Sequence, residues 1–316
     1  MPDRPHAAPP SRRLTGATQS IAVLRNLGLL GTPHDDSGGG FTADDGQHVP
    51  VQTRGAGPPV VLLHGLGCSH RHWSGVMRRL APAQRVYAWD ARGHGAAQPL
   101  TGEPVTLPRL GRDVAQLFDT YLLDGVLLVG HSMGALTALQ YLALHGTARV
   151  RGLCLVDQSP RVVTDEEWRL GLWGGCSAAM LQALIDGARH DFAATVMREI
   201  DAAAGRWLGR ALQPEAFVGR RLRQWLASRQ VAPLLDLCAS LVVADFRALL
   251  ARLNLPLLVV LGGRSAHYAD VPLEDYYRRT VPGAQVLRYE RSGHSPHVAE
   301  PARFARDLLE FSDALL

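Results

Sequence analysis

Apolar residues in this chain gather into short runs separated by longer amphipathic stretches. Val60-Val61-Leu62-Leu63, Val86-Tyr87-Ala88-Trp89 and Val126-Leu127-Leu128-Val129 are three of these runs. Further ones follow at 151–156, 257–261 and 285–289. Runs that stay apolar at successive positions suit strands buried on both faces of a parallel sheet. Between them, segments near 70–80 and 106–121, and the run Ala135 to Leu144, carry helical patterning. Phe41 to Thr53 reads as a hairpin around Asp44-Asp45-Gly46. The alternation predicts an α/β fold with a doubly wound, mostly parallel sheet. Ligands of such sheets bind beyond the carboxyl ends of the strands. Ser132, Asp157, Ser265 and His294 all fall just past such ends.

Residues 160–245 break this rhythm: they lack strand-like runs and hold several helical patterns. The predicted organisation is therefore a core of 41–159 and 246–316, an insert at 160–245, and an N-terminal segment of 1–40. In that segment Ser11-Arg12-Arg13-Leu14 precedes an apolar stretch from Ile21 to Leu30, the outline of a twin-arginine export signal. Arg25 and Asn26 interrupt the apolar stretch and no A-x-A site follows. The segment is read instead as a disordered tail to about residue 17 and a short amphipathic helix, with Gly38-Gly39-Gly40 as a flexible join. A cytoplasmic location is expected.

Composition narrows the function classes. A hydrophobic fraction of 47% supports a sizeable core. No apolar run approaches the ~20 residues that span a bilayer, so no membrane span is expected. The net charge of +4 raises nucleic acid as a partner, but the basic residues are scattered and no nucleic-acid site is expected. All 33 are arginine, which removes Schiff-base lysine chemistry. Cys68, Cys154, Cys176 and Cys238 form no C-x-x-C pair. No metal-ligand spacing and no phosphate-cradling glycine loop is present, so neither metal nor cofactor is expected.

The most informative local pattern is Gly130-His131-Ser132-Met133-Gly134, a G-x-S-x-G pentapeptide between an apolar run and an Ala/Leu-rich helix. A serine on such a sharp strand-to-helix turn has strained backbone. Its hydroxyl is exposed above the sheet edge, at the positive end of a helix dipole. Three further segments follow strands in order: His64-Gly65-Leu66-Gly67, Asp90-Ala91-Arg92-Gly93-His94-Gly95 and Ser292-Gly293-His294-Ser295-Pro296-His297 before Glu300-Pro301. Together these resemble the α/β-hydrolase superfamily across roughly residues 41–314.

The resemblance implies Ser132 as nucleophile and His294 as its base, with His297 the main rival. It implies scaffold roles for His64 and His94, and an oxyanion hole from the backbone N–H groups of Leu66 and Met133. It also implies that the insert after the sixth strand is a helical cap. The acid departs from the family pattern, because the turn that usually ends in aspartate reads Gly262-Gly263-Arg264-Ser265. Serine cannot carry the charge that stabilises an imidazolium. Asp157, at the end of the sixth strand, is favoured over Asp270 or a dyad without acid.

The expected activity is hydrolysis of an ester, thioester or amide of a mid-sized apolar acyl substrate through an acyl-enzyme. Carbon–carbon bond hydrolysis, or lyase or cyclase chemistry on the same residues, is a second reading. A non-catalytic ligand-binding module is a third, disfavoured by the intact serine and histidine. His131, Trp168 and Trp173 are candidate substrate contacts, with Trp207 and Trp225 nearby in sequence; plain packing is the competing role for each. Arg206, Arg210, Arg220, Arg221 and Arg223 form either a solvated face or a site for a carboxylate or the phosphate of a carrier- or CoA-linked acyl group.

Overall fold

The apolar runs become the centre of an eight-stranded sheet in the computed structural model, which describes residues 39–97, 104–192, 194 and 231–315. The strands are β1 (Gly40–Thr42), β2 (His48–Arg54), β3 (Pro59–Leu63), β4 (Arg85–Trp89), β5 (Val126–His131), β6 (Val150–Val156), β7 (Leu257–Gly262) and β8 (Gln285–Tyr289). Their order is β1-β2-β4-β3-β5-β6-β7-β8. β1 and β2 form the expected hairpin, and β2 pairs antiparallel with β4. Every pair from β4 to β8 is parallel. Gly46 takes the positive φ of 84° that the hairpin turn requires.

Side chains alternate across this sheet, and each face is covered. Val61, Leu63, Leu128, Leu153, Leu155 and Val259 pack on one side with helices α2 (Leu107–Thr120) and α3 (Met133–His145). Val60, Leu62, Leu127, Val129, Cys154, Val156 and Val260 pack on the other with α1 (Ser74–Leu80) and α9 (Pro301–Asp313). Burial on both faces is why the central strands carry apolar residues without interruption. The Thr106 side chain caps α2 by accepting from the Arg109 N–H at 3.3 Å.

After β6 the chain makes an irregular excursion, tied by Leu172 N–H to Val162 C=O at 2.8 Å and Thr164 N–H to Cys176 C=O at 2.7 Å. It then enters α4 (Ala178–His190). Helix α5 (Val231–Val242) packs against α4 through Leu235, Ile185 and Ala188. Leu237 of α5 joins the main core, and the Ser240 hydroxyl accepts from the Leu107 N–H at 2.8 Å. The return of the insert is thus fastened to the first turn of α2. Three short helices, α6 (Arg247–Leu250), α7 (Leu273–Thr280) and α8 (Pro296–Ala299), complete the elements used below. Among the described residues no helix is long and apolar enough to cross a membrane. The expected N-terminal tail and its short helix, Trp207, Trp225 and the 206–223 arginine cluster lie outside the described residues.

Candidate active site

The sharp turn anticipated at Ser132 is present. Its φ of 53° and ψ of −121° are strained for a residue with a side chain, and it stands between β5 and α3. Gly134 is what allows the turn to close. A Cβ there would lie 2.2 Å from the Leu63 carbonyl oxygen, so any larger residue would push β3 away. Met133 heads α3, and a first-turn N–H has no intrahelical acceptor to satisfy it. The loop after β3 passes close by: a Cβ on Gly65 would sit 3.3 Å from the Ser132 Cβ. That places the Leu66 peptide beside the serine, with Leu66 itself 39% exposed.

Asp157 follows on the adjoining strand. His131 of β5 is in register with Val156 of β6, and the Ser132 N–H donates to the Val156 carbonyl at 3.1 Å. Ser132 and Asp157 therefore occupy neighbouring strand ends. Asp157 is fully buried, with a φ of 48°. Its Oδ2 lies 2.7 Å from His294 Nδ1, although 137 residues separate the two. The Gly262 N–H donates to Oδ1 at 2.8 Å, and the Ser265 hydroxyl donates to Oδ2 at 2.6 Å. The serine at the position where the family usually carries aspartate thus donates a hydrogen bond to a carboxylate supplied from the next strand. Asp270 is exposed.

Electrostatics follow from this burial. Desolvation pushes the Asp157 carboxyl up to about 6, against the lowering effect of the Ser265 hydroxyl and the Gly262 N–H. Burial likewise pushes the His294 imidazole below its ordinary value, toward the neutral form that can accept a proton. With Nδ1 facing a carboxylate, that nitrogen carries the hydrogen and Nε2 keeps its lone pair.

His297, the rival base, is 1% exposed and packs on Trp73, ring centroids 4.1 Å apart. Two of the three candidate substrate contacts are buried. His131 is 2% exposed, and its Nε2–H donates to the His294 carbonyl at 2.8 Å. It stands behind the His294 loop. Trp168 is buried, donates to the Arg161 carbonyl at 3.0 Å, and lies against Tyr276 and Arg247. Of the three, Trp173 alone is exposed, and its ring stands edge-on to His267 at 6.4 Å. His64 and His94 are buried beside each other, and His64 Nε2 accepts from the Ala91 N–H at 3.0 Å.

One residue of the site escaped the sequence reading. The His267 ring packs at a tilt against His294 with ring centroids 4.1 Å apart, and its backbone N–H donates to the Ser265 hydroxyl at 3.2 Å. Burial pushes its imidazole down to about 4. Its place two residues after Ser265 was the available signal, but nothing local distinguishes it from a loop histidine.

Known proteins resemble the chain along most of its length. Residues 60–307 match the family model described as "Alpha/beta hydrolase family". A pimeloyl-[acyl-carrier protein] methyl ester esterase of Aeromonas hydrophila is 32% identical over 269 residues, covering 83% of this chain and 98% of that protein. Among solved structures, an esterase, RhEst1, from Rhodococcus sp. is 27% identical with a TM-score of 0.66, over 88% of this chain and 98% of its own. A bromoperoxidase from Bacillus anthracis superposes with a TM-score of 0.73 at 24% identity, over 87% and 98% of the two chains, a likeness of fold.

Proposed function

The chain belongs to the α/β hydrolase family, and from that premise we propose that it is a serine carboxylesterase whose substrate is the small alkyl ester of a carrier-linked acyl chain. One observation carries the reading. A buried carboxylate holds His294 Nδ1 at 2.7 Å, at the strand end beside a serine in strained backbone.

The chemistry runs in two halves. His294 Nε2 takes the proton of the Ser132 hydroxyl as its oxygen attacks the ester carbonyl. Asp157 holds the ring and stabilises the imidazolium that forms. The N–H groups of Leu66 and Met133 receive the negative charge on the carbonyl oxygen. His294 returns its proton to the departing alkoxide, leaving an acyl-enzyme. Water, deprotonated by His294, then releases the acid and restores Ser132. The described parts of the insert after β6, residues 160–192 and 231–245, are read as belonging to a cap at this site, with Trp173 beside His267.

The carrier-linked substrate rests on the relatives, whose similarity spans 98% of the Aeromonas protein. Intact-mass detection of the acyl-enzyme tests the nucleophile. A single acyl adduct on the wild type and none on Ser132→Ala is expected. An adduct that persists in the variant overturns the assignment. Comparing kcat/KM for one methyl ester, free and linked to acyl-carrier protein, tests the substrate class. Equal values would reduce the proposal to a general esterase.

A further inference from the structure

Behind the His294 loop, three histidines from distant parts of the chain converge. His72 lies in the short helical turn His70–Trp73, His131 ends β5, and His297 lies in α8. One ring nitrogen from each lies within 4.8 Å of the other two. His131 and His297 are 2% and 1% exposed. Nδ1 of His72, Nδ1 of His131 and both nitrogens of His297 are buried and have no hydrogen-bond partner among the described residues. Buried polar atoms are rarely left in that state, and each such case in a folded protein calls for a ligand or a reason.

The tautomer of His131 sharpens the case. Its Nε2 faces the His294 carbonyl, which can only accept, so Nε2 carries the hydrogen. Nδ1 is therefore a bare, buried lone pair without a partner among the described residues. A metal-ligating histidine has this arrangement, with one nitrogen on the ion and the other donating to a backbone carbonyl. The space beside Nδ1 is kept by a glycine: a Cβ on Gly65 would fall 2.8 Å from it.

We propose that His72, His131 and His297 form a buried tri-histidine site for a divalent transition metal, with Zn²⁺ as the best-suited ion. All-imidazole donor sets suit zinc, copper and nickel, whereas calcium and magnesium need oxygen ligands. Zinc–nitrogen bonds of about 2.1 Å put tetrahedral ligand nitrogens roughly 3.4 Å apart. From a spacing of at most 4.8 Å, each nitrogen moves inward by about 0.8 Å or less. The ion would tie the turn after β3, the end of β5 and α8 into one unit. Through His131 it would also fix the carbonyl of His294. Sequence spacing could not reveal the site, because His131 is 59 residues from His72 and 166 from His297.

The test uses the full-length protein, stripped with a chelator and confirmed as folded by circular dichroism. Co²⁺ and Zn²⁺ are then added separately. The proposal expects one ion retained per chain after gel filtration, visible d–d absorption from the cobalt form, and a higher Tm with either ion. It also expects His72→Phe and His297→Phe to lose the cobalt absorption, and His72→Asp, which keeps a donor, to retain part of it. If wild type stays folded, yet retains no ion and shows neither absorption nor a Tm shift, the site is a histidine cluster alone and the proposal fails. It fails equally if either phenylalanine variant folds and binds cobalt as wild type does.

Discussion

Two buried polar clusters lie close to the sheet, and they differ in whether their hydrogen bonds are complete. Around Arg92 the cluster is closed. Arg92 donates to Asp113 and to Asp45, and Arg109 reaches Asp113 at 2.8 Å and Asp44 at 2.8 Å. Asp113 is fully buried; burial pushes its carboxyl up while both arginines pull it down. Around Ser132 the cluster is open. Asp157 is saturated by Ser265, Gly262 and His294, but His72, His131, His267 and His297 keep ring nitrogens without partners. The closed cluster has nothing left to offer a ligand, so its contribution is to hold the loops after β1 and β4 against α2. The open cluster contributes little through its own bonding. Its strained backbone at Ser132 and Asp157 and its unpaired ring nitrogens cost free energy that fold stability elsewhere offsets.

Breaking the open cluster at the Ser132 hydroxyl, the proposed nucleophile, has the largest expected effect. Ser132→Ala lowers kcat by about 10⁴-fold or more while Tm stays near wild type. Steady-state kinetics on a p-nitrophenyl acyl ester, with a parallel melt, would show it. Retention of more than about a tenth of the activity removes Ser132 as nucleophile.

Next comes the acid. Asp157→Asn lowers kcat by roughly 10³- to 10⁴-fold, because an amide can hold the wrong histidine tautomer. Asp270→Asn, at an exposed position, leaves kcat unchanged. Equal losses in the two variants would contradict the observed pairing.

The closed cluster breaks differently. Asp113→Asn leaves two buried guanidinium groups short of their shared partner and destabilises the fold by about 3–5 kcal/mol. The cost is read from the urea midpoint. Activity per folded molecule is expected to hold, and a matching fall in kcat would mean that the two clusters are coupled.

Ser265 sharpens the comparison at the boundary of the site. Ser265→Ala removes one of the three hydrogen bonds on Asp157 and lowers kcat on the order of tenfold. In the Asp157→Asn background, Ser265→Asp restores part of the lost rate by returning a carboxylate to the neighbouring strand end.

The smallest effect concerns pH. A protonated His294 cannot accept the serine proton, so kcat/KM falls as pH drops through the histidine's value. Burial lowers that value, so the acid limb has its midpoint below the ordinary imidazole value of about 6.5. Asp157, raised to about 6, titrates with it as a pair. A midpoint above about 7 would mean that the carboxylate stabilises the imidazolium more than burial opposes it.

What the sequence determined by itself is what short stretches of chain decide. Apolar runs at 60–63, 126–129 and 257–261 became buried parallel strands because both of their faces are covered. The elbow at Ser132 was legible because strain, glycine spacing and helix start lie within five residues. The loop of His294 was legible from its resemblance to the family motif. Asp157 was singled out as the candidate acid only because serine stands at 265, and what joins it to His294 is strand order. β6 lies between β5 and β7, and this brings Ser132, Asp157 and Ser265 to adjacent strand ends across 133 residues of chain. Tertiary structure alone placed His267 on His294, turned Trp168 and His131 away from solvent, and gathered His72, His131 and His297. Side-chain rings meet through packing between elements, and a linear pattern carries no information about which elements will be neighbours.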